Sequence, residues 1–298
     1  RGRYCGGCCC CSAVGAYVYL SVLLTFVAQY REYPGAMHPE AQVKCHSFYF
    51  ESNYDGRELV GCRQPLAEPA KAAMLFFHGN GGTVSSAIVQ AAQILVPQYS
   101  MPDAPPPIEI FSFSYRGYPP NNASNWRGQG KIVADAEALL DTVLKTHVAG
   151  GMQGASADGR VIVAGWSLGA AVALQLAARR PESVAGLLVL SPFDSMWGMA
   201  LYVFGYYLSP WIWVSDHWDS LGAAQSLPEE IPVAVLSAGM DVEIPPFMHR
   251  QVFNVLRTRQ KWWLPTEKAG HASIPLEAEK QQLGIHDWLN ASLQRVSV

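Results

Sequence analysis

Gly165-Trp166-Ser167-Leu168-Gly169 sets one serine between two glycines, where the apolar run Arg160 to Ala164 gives way to a helical pattern beginning at Leu168. A serine at a tight strand-to-helix turn stands clear of its neighbours, with small residues beside it and a helix N-terminus behind it. Its hydroxyl is inert at its own pKa. It becomes a nucleophile only beside a base, and that base needs an acid to fix its tautomer. Two later positions supply them: Asp241 follows the apolar run Pro232 to Ala238, and His271 follows Gln260 to Pro265. Both then stand at the carboxyl edge of a parallel sheet, where Ser167 also stands. The chain order Ser167, Asp241, His271 gives nucleophile, acid and base. Asp194, in SPFDS, also follows a strand-like run and is the alternative acid, while Asp216 and Asp219 read as capping or loop-fixing carboxylates. His249 and His286 fall inside helical patterns and read as ordinary surface or core residues.

Acyl transfer also needs donors for a tetrahedral oxyanion. The backbone N–H of Leu168 is one, and the loop FFHGNGGT (76–83) offers the N–H of Asn80 as the other, with His78 bracing the loop. That loop has neither the P-loop pattern nor a complete G-x-G-x-x-G, which argues against nucleotide binding. The chemistry calls for no metal and no organic cofactor.

These residues need a sheet to carry them. AAMLFF (72–77), IEIFSFSY (108–115), RVIVAGW (160–166), VAGLLVLS (184–191), PVAVLSA (232–238) and QKWWLP (260–265) read as buried strands. Between them Val84 to Val96, Ile132 to His147, Leu168 to Arg179 and Pro246 to Arg257 carry apolar residues at helical spacing. Near-continuous apolar strands alternating with helices predict a doubly wound, mostly parallel α/β sheet covered on both faces. Two loops interrupt the rhythm, YSMPDAPPPIE and GGMQGASADG. A third stretch, 195–218, is mostly aromatic and apolar. It reads as a lid or apolar wall beside the site, or as a buried core helix; Trp166, Trp197, Tyr202 and Phe204 are the candidate pocket residues, continued by Tyr206, Tyr207 and Trp211.

The chain has 298 residues and a net charge of −3, with no basic field for nucleic acid. Residues 1–30 are uncharged between Arg3 and Arg31 and mostly apolar from Ala13 to Ala28, which predicts a transmembrane signal anchor rather than a cleaved signal peptide or an amphipathic arm. Residues 31–43 form a connector, and the catalytic domain occupies 44–298. Cys5, Cys8, Cys9, Cys10 and Cys11 crowd the start of the anchor, where S-acylation is favoured over zinc because no histidine stands at finger spacing. Arg1 and Arg3 place the N-terminus in the cytoplasm, so the domain is expected on the luminal or extracellular side of the endoplasmic reticulum or plasma membrane. Sequons at Asn122 and Asn290 are compatible with that side, and Cys45 and Cys62 flank a hairpin around Asp55-Gly56 and could form a cross-strand disulfide or remain thiols.

Together FFHGNGG, YRGYP, GWSLGAAVALQLA, SPFDS, DHWDS, GMDVEIPPFMH and AGHAS resemble the α/β-hydrolase superfamily over residues 26 to 290. They are most similar to the Bem46-like, membrane-anchored serine hydrolases of the prolyl oligopeptidase clan, the group of α/β-hydrolase domain-containing proteins 13 and 17. The resemblance implies the same triad. PPNNASNW, Ala238 and the serine of GHAS depart from the family pattern at the pocket rim, so the substrate does not carry over. One branch removes palmitate from protein cysteines in the cytosol and is held at membranes by an N-terminal cysteine cluster; a cytosolic orientation is the alternative that this branch implies. The expected function is hydrolysis of acyl esters or thioesters at a lipid bilayer. An S9-type peptidase and a non-catalytic membrane scaffold are the alternatives.

Overall fold

The computed structural model describes residues 45–64, 66, 70–121, 128–148, 159–205 and 216–296. The expected anchor with its five cysteines, the connector, the Asn122 sequon and Tyr206, Tyr207 and Trp211 lie outside them. Among the described residues no helix is long and apolar enough to cross a membrane.

The strands are β1 (His46–Glu51), β2 (Glu58–Arg63), β3 (Ala72–Phe77), β4 (Ile108–Phe113), β5 (Val161–Trp166), β6 (Val184–Leu190), β7 (Val233–Ala238) and β8 (Lys261–Thr266). They form one sheet in the order β1-β2-β4-β3-β5-β6-β7-β8. The β1/β2 and β2/β4 pairs are antiparallel, and every pair from β4 to β8 is parallel. The inner parallel strands are mostly apolar because both of their faces are covered, while the edge strand β8 is partly exposed. On β5, Val161 and Val163 join one core while Ile162 and Ala164 join the other.

The helices are α1 (Val84–Leu95), α2 (Gln129–Val143), α3 (Leu168–Arg179), α4 (Met196–Phe204), α5 (Ser220–Ser226), α6 (Pro246–Val255), α7 (Ile274–Glu277) and α8 (Gln282–Val296). One face of the sheet is packed by α2, α3, α5 and α6, the other by α1, α7 and α8. The bounds of α3 are those read from its apolar spacing. α4 carries the described part of the aromatic stretch, and none of its residues is fully buried.

The hairpin turns at Gly56, whose φ of 67° suits glycine. Cys45 and Cys62 are joined in a disulfide with their Cα atoms 5.7 Å apart. The hairpin is tied to the sheet by Arg116 of the YRGYP stretch. Its buried guanidinium binds Asp135 through Nε and Nη2, at 2.7 and 2.6 Å, and reaches Asp55 at 3.1 Å and Ser52 at 2.9 Å. The bond from Arg116 holds the Asp55 carboxyl below its ordinary value despite some desolvation.

Within the Asn290 sequon, Ser292 is buried in α8, donates its hydroxyl to the Trp288 carbonyl at 2.8 Å and packs against Gly186 of β6.

Candidate active site

Ser167 occupies the turn between β5 and α3 with φ 58° and ψ −118°, a conformation that is costly for a residue bearing a Cβ. The neighbouring glycines hold it there. A Cβ on Gly165 would strike the Gly169 carbonyl, and one on Gly169 would strike the Phe77 carbonyl at the end of β3. The Ser167 N–H donates to the Leu190 carbonyl of β6 at 2.9 Å, which fixes the turn to the adjacent strand. The side chain remains 8% exposed at the carboxyl edge of the sheet.

The loop after β3 lies against this turn. A Cβ built on Gly79 would stand 3.0 Å from the Trp166 ring and 3.3 Å from Ser167 Cβ. Asn80 follows, its side-chain oxygen accepting from the Tyr118 hydroxyl at 2.8 Å, which anchors the residue. His78 braces the loop as expected. Its Nδ1 is 2.8 Å from the Gly79 carbonyl, its own carbonyl accepts from the Tyr115 hydroxyl at 2.7 Å, and burial lowers its pKa to about 4, so the ring is neutral.

Asp241 follows β7, and its Oδ1 accepts from the N–H groups of Glu243 and Ile244 at 3.0 and 2.8 Å. Its Oδ2 lies 2.7 Å from His271 Nδ1. Burial acts to raise this carboxyl, but the His271 contact and the Ile244 amide outweigh it and hold the carboxyl below its ordinary value. A nitrogen facing a carboxylate carries the proton, so Nδ1 is the donor and Nε2 of His271 keeps a free lone pair. The His271 ring lies 5.2 Å from the Trp166 ring, centroid to centroid, which brings the base to the nucleophile's turn. The Ser167 hydroxyl forms no hydrogen bond to His271 among the described residues, and His271 Nε2 stands 4.0 Å from Glu243 Oε2. Such contacts often tighten only once substrate is in place.

The two candidate acids are separated by their partners. The Asp194 carboxylate accepts from the Ser195 N–H at the start of α4 and from its hydroxyl, and its carbonyl accepts from Ser220 and Leu221 of α5. Burial raises its pKa, the opposite of what an ionised acid needs. Asp216 and Asp219 serve the capping roles expected: Asp216 accepts from the Gln129 N–H at 3.0 Å and Asp219 from the Gly222 N–H at 2.8 Å. Of the pocket candidates, Trp166 lies beside His271. Trp197, Tyr202 and Phe204 belong to α4, where Trp197 and Tyr202 are exposed and Tyr202 meets Phe247 of α6 at 6.2 Å. Among the described residues no group of His, Cys, Asp and Glu is arranged to hold a metal ion.

Sequence reasoning passed over His249. It is a core residue, but one set against the acid: its Nε2 lies 3.7 Å from Asp241 Oδ2 and its Nδ1 2.9 Å from Ser237 Oγ. The available signal was its place in the first turn of the helix that follows Asp241, after Pro245 and Pro246.

A strand order of this kind, with a serine on a strained turn and an Asp–His pair at the same sheet edge, defines the class of the protein. A model of the alpha/beta hydrolase family matches residues 74–276, and the chain belongs to that family. It is similar to the alpha/beta hydrolase domain-containing protein WAV2 of Arabidopsis thaliana, at 26% identity over 208 residues, covering 64% of this chain and 58% of the relative. It is similar also to protein bem46 of Schizosaccharomyces pombe, at 24% identity over 211 residues, covering 70% and 64%. The chain thus spans less than two thirds of the length of these curated relatives. Among solved structures, the esterase Pf2001 of Pyrococcus furiosus shares the fold with a TM-score of 0.62 at 11% identity, over 83% of this chain and 92% of that one.

Proposed function

We propose that the chain is a serine hydrolase that cleaves carboxylic esters or thioesters of apolar acyl groups through an acyl-enzyme. Ser167 Oγ attacks the acyl carbonyl carbon while His271 Nε2 takes its proton, and the N–H groups of Asn80 and Leu168 hold the oxyanion. His271 returns the proton to the leaving alcohol or thiol, and the bond to that group breaks. Water, deprotonated by the same Nε2, then attacks the acyl carbon, and the acid departs as Ser167 regains its proton. Asp241 stays ionised throughout and holds Nδ1–H. The observation that carries this reading is the 2.7 Å Asp241–His271 contact at the sheet edge where Ser167 sits on its strained turn.

An apolar acyl group is favoured by Trp166 beside the base and by the exposed aromatic face of α4 next to Phe247. In the same reading, residues 1–30 hold the domain at a membrane, with the N-terminal cysteines as acylation sites, and the Cys45–Cys62 disulfide favours an oxidising compartment for the domain. The test is a panel of acyl esters, acyl thioesters and peptides of graded chain length. Turnover is expected on esters or thioesters, with kcat reduced by several orders of magnitude in Ser167→Ala. Turnover of peptides alone, or a Ser167→Ala rate within about tenfold of wild type, contradicts it.

A further inference from the structure

His249 is wholly buried beside the acid, and the reaction above gives it no part. Its ring lies between two oxygens: Nδ1 is 2.9 Å from Ser237 Oγ, and Nε2 is 3.7 Å from Asp241 Oδ2. That Oδ2 is the atom that accepts from His271 Nδ1. Among the described residues Nε2 of His249 is buried with no hydrogen-bond partner, which is costly for an imidazole nitrogen unless a polar group faces it. The ring is neutral because burial lowers its pKa to about 4, against the pull of the Asp241 carboxylate and the Ile244 backbone beside it and with the help of His271.

A neutral imidazole has one N–H to place. On Nδ1, it would leave the Nε2 lone pair facing a buried carboxylate, two acceptors opposed in a medium of low dielectric. On Nε2, the N–H points at Oδ2, and the Ser237 hydroxyl donates to Nδ1. The second arrangement gives Nδ1 a donor and sets no lone pair of the ring against the carboxylate. Taking Asp241 and His271 as acid and base, as proposed above, we infer that His249 is a positioning residue. Its Nε2–H, with the tautomer set by Ser237, orients the Asp241 carboxylate and draws part of its charge away from His271. At 3.7 Å the contact is longer than a hydrogen bond, so it polarises and aligns the carboxylate without taking a full share of it.

Two measurements test this. Two-bond nitrogen–proton correlation on the 15N-labelled wild-type protein reads each tautomer directly, and needs neither substrate nor variant. His249 is expected as the Nε2–H form; a proton on Nδ1 overturns the inference even if the hydrolase reading stands. Kinetics then separate positioning from packing. His249→Leu keeps most of the volume and loses the N–H, whereas His249→Gln keeps a side-chain N–H. The leucine variant should lose about fivefold in kcat, less than a full hydrogen bond to a charged group is worth because the contact is longer than one, with KM unchanged. Its acidic limb in kcat/KM should also move to higher pH, because a carboxylate stripped of that N–H favours the His271 imidazolium. Glutamine should restore both. A folded leucine variant with wild-type kcat and an unmoved limb overturns the inference. If no ester is turned over by the wild type, the hydrolase reading fails by itself and the tautomer still decides this one.

Discussion

Gly169 lies directly beneath the Phe77 carbonyl, so close that a single methyl group at this position would overlap it. The contact joins the first turn of α3 to the end of β3, and so sets the nucleophile's turn against the loop that carries Asn80. Gly169→Ala is therefore expected to force the two apart and cost about 1–3 kcal/mol, as overpacking of a close-packed site does. Urea unfolding would measure that cost, and acyl hydrolysis should fall with it. Wild-type stability would mean that the turn has room to relax.

Asp241 and Asp194 offer a comparison within one protein. Asp241→Asn keeps the size of the side chain and should lower kcat by roughly 10⁴, through the wrong His271 tautomer. Asp194→Asn should leave the tautomer intact and loosen only the start of α4, because the bonds from α5 go to the backbone carbonyl, costing about 1 kcal/mol or less. Steady-state kinetics and unfolding on both variants check the pair; the opposite ranking in kcat moves the acid to Asp194.

Arg116→Ala removes a buried cation from between Asp135 and Asp55. Asp135 is wholly buried and would keep only the Ser52 hydroxyl, so a loss of about 3–5 kcal/mol is expected. The hairpin bearing the Cys45–Cys62 disulfide should exchange its amide hydrogens faster. A loss below about 1 kcal/mol would show that the pair is no better than a surface ion pair.

Stability should fall on mild acidification. His78 and His249 have folded pKa values of about 4 against an ordinary 6.5, so between those values the unfolded chain binds more protons than the folded one. Their contribution is present above about pH 6.5 and declines as pH falls toward 4, with a combined slope of up to about 2.7 kcal/mol per pH unit. Asp241, held below its ordinary value, adds a loss at lower pH still. Unfolding midpoints taken at pH 7, 6 and 5 would follow this decline, and a flat profile over that range would contradict the buried, neutral state of both rings.

The parallel half of the sheet is legible because its strands are near-continuous apolar runs, and α3 is legible because small apolar residues dominate it. The nucleophile's turn is legible for a related reason: its two glycines are required by backbone collisions with fixed neighbours, so the sequence records them. Asp241 and Asp194 both follow strands, and position alone cannot rank them; what separates them is that one carboxylate meets His271 and the other the first turn of α4. His249 illustrates the remaining limit. Its burial follows from helical spacing, but its contact with Asp241 depends on how α6 folds back over the end of β7, and its place in the first turn of the helix after Asp241 is only a weak sign of that. Ser292 is the converse case, a sequon by pattern that packing places against Gly186.

The central claim is that Ser167 is an activated nucleophile, and covalent capture tests it most directly. The protein would be treated with a fluorophosphonate, digested, and the modified peptide identified by mass spectrometry, beside the His271→Ala variant. One adduct on Ser167, lost when His271 is removed, is the predicted result. An adduct elsewhere, or none while a control serine hydrolase reacts, would contradict the account.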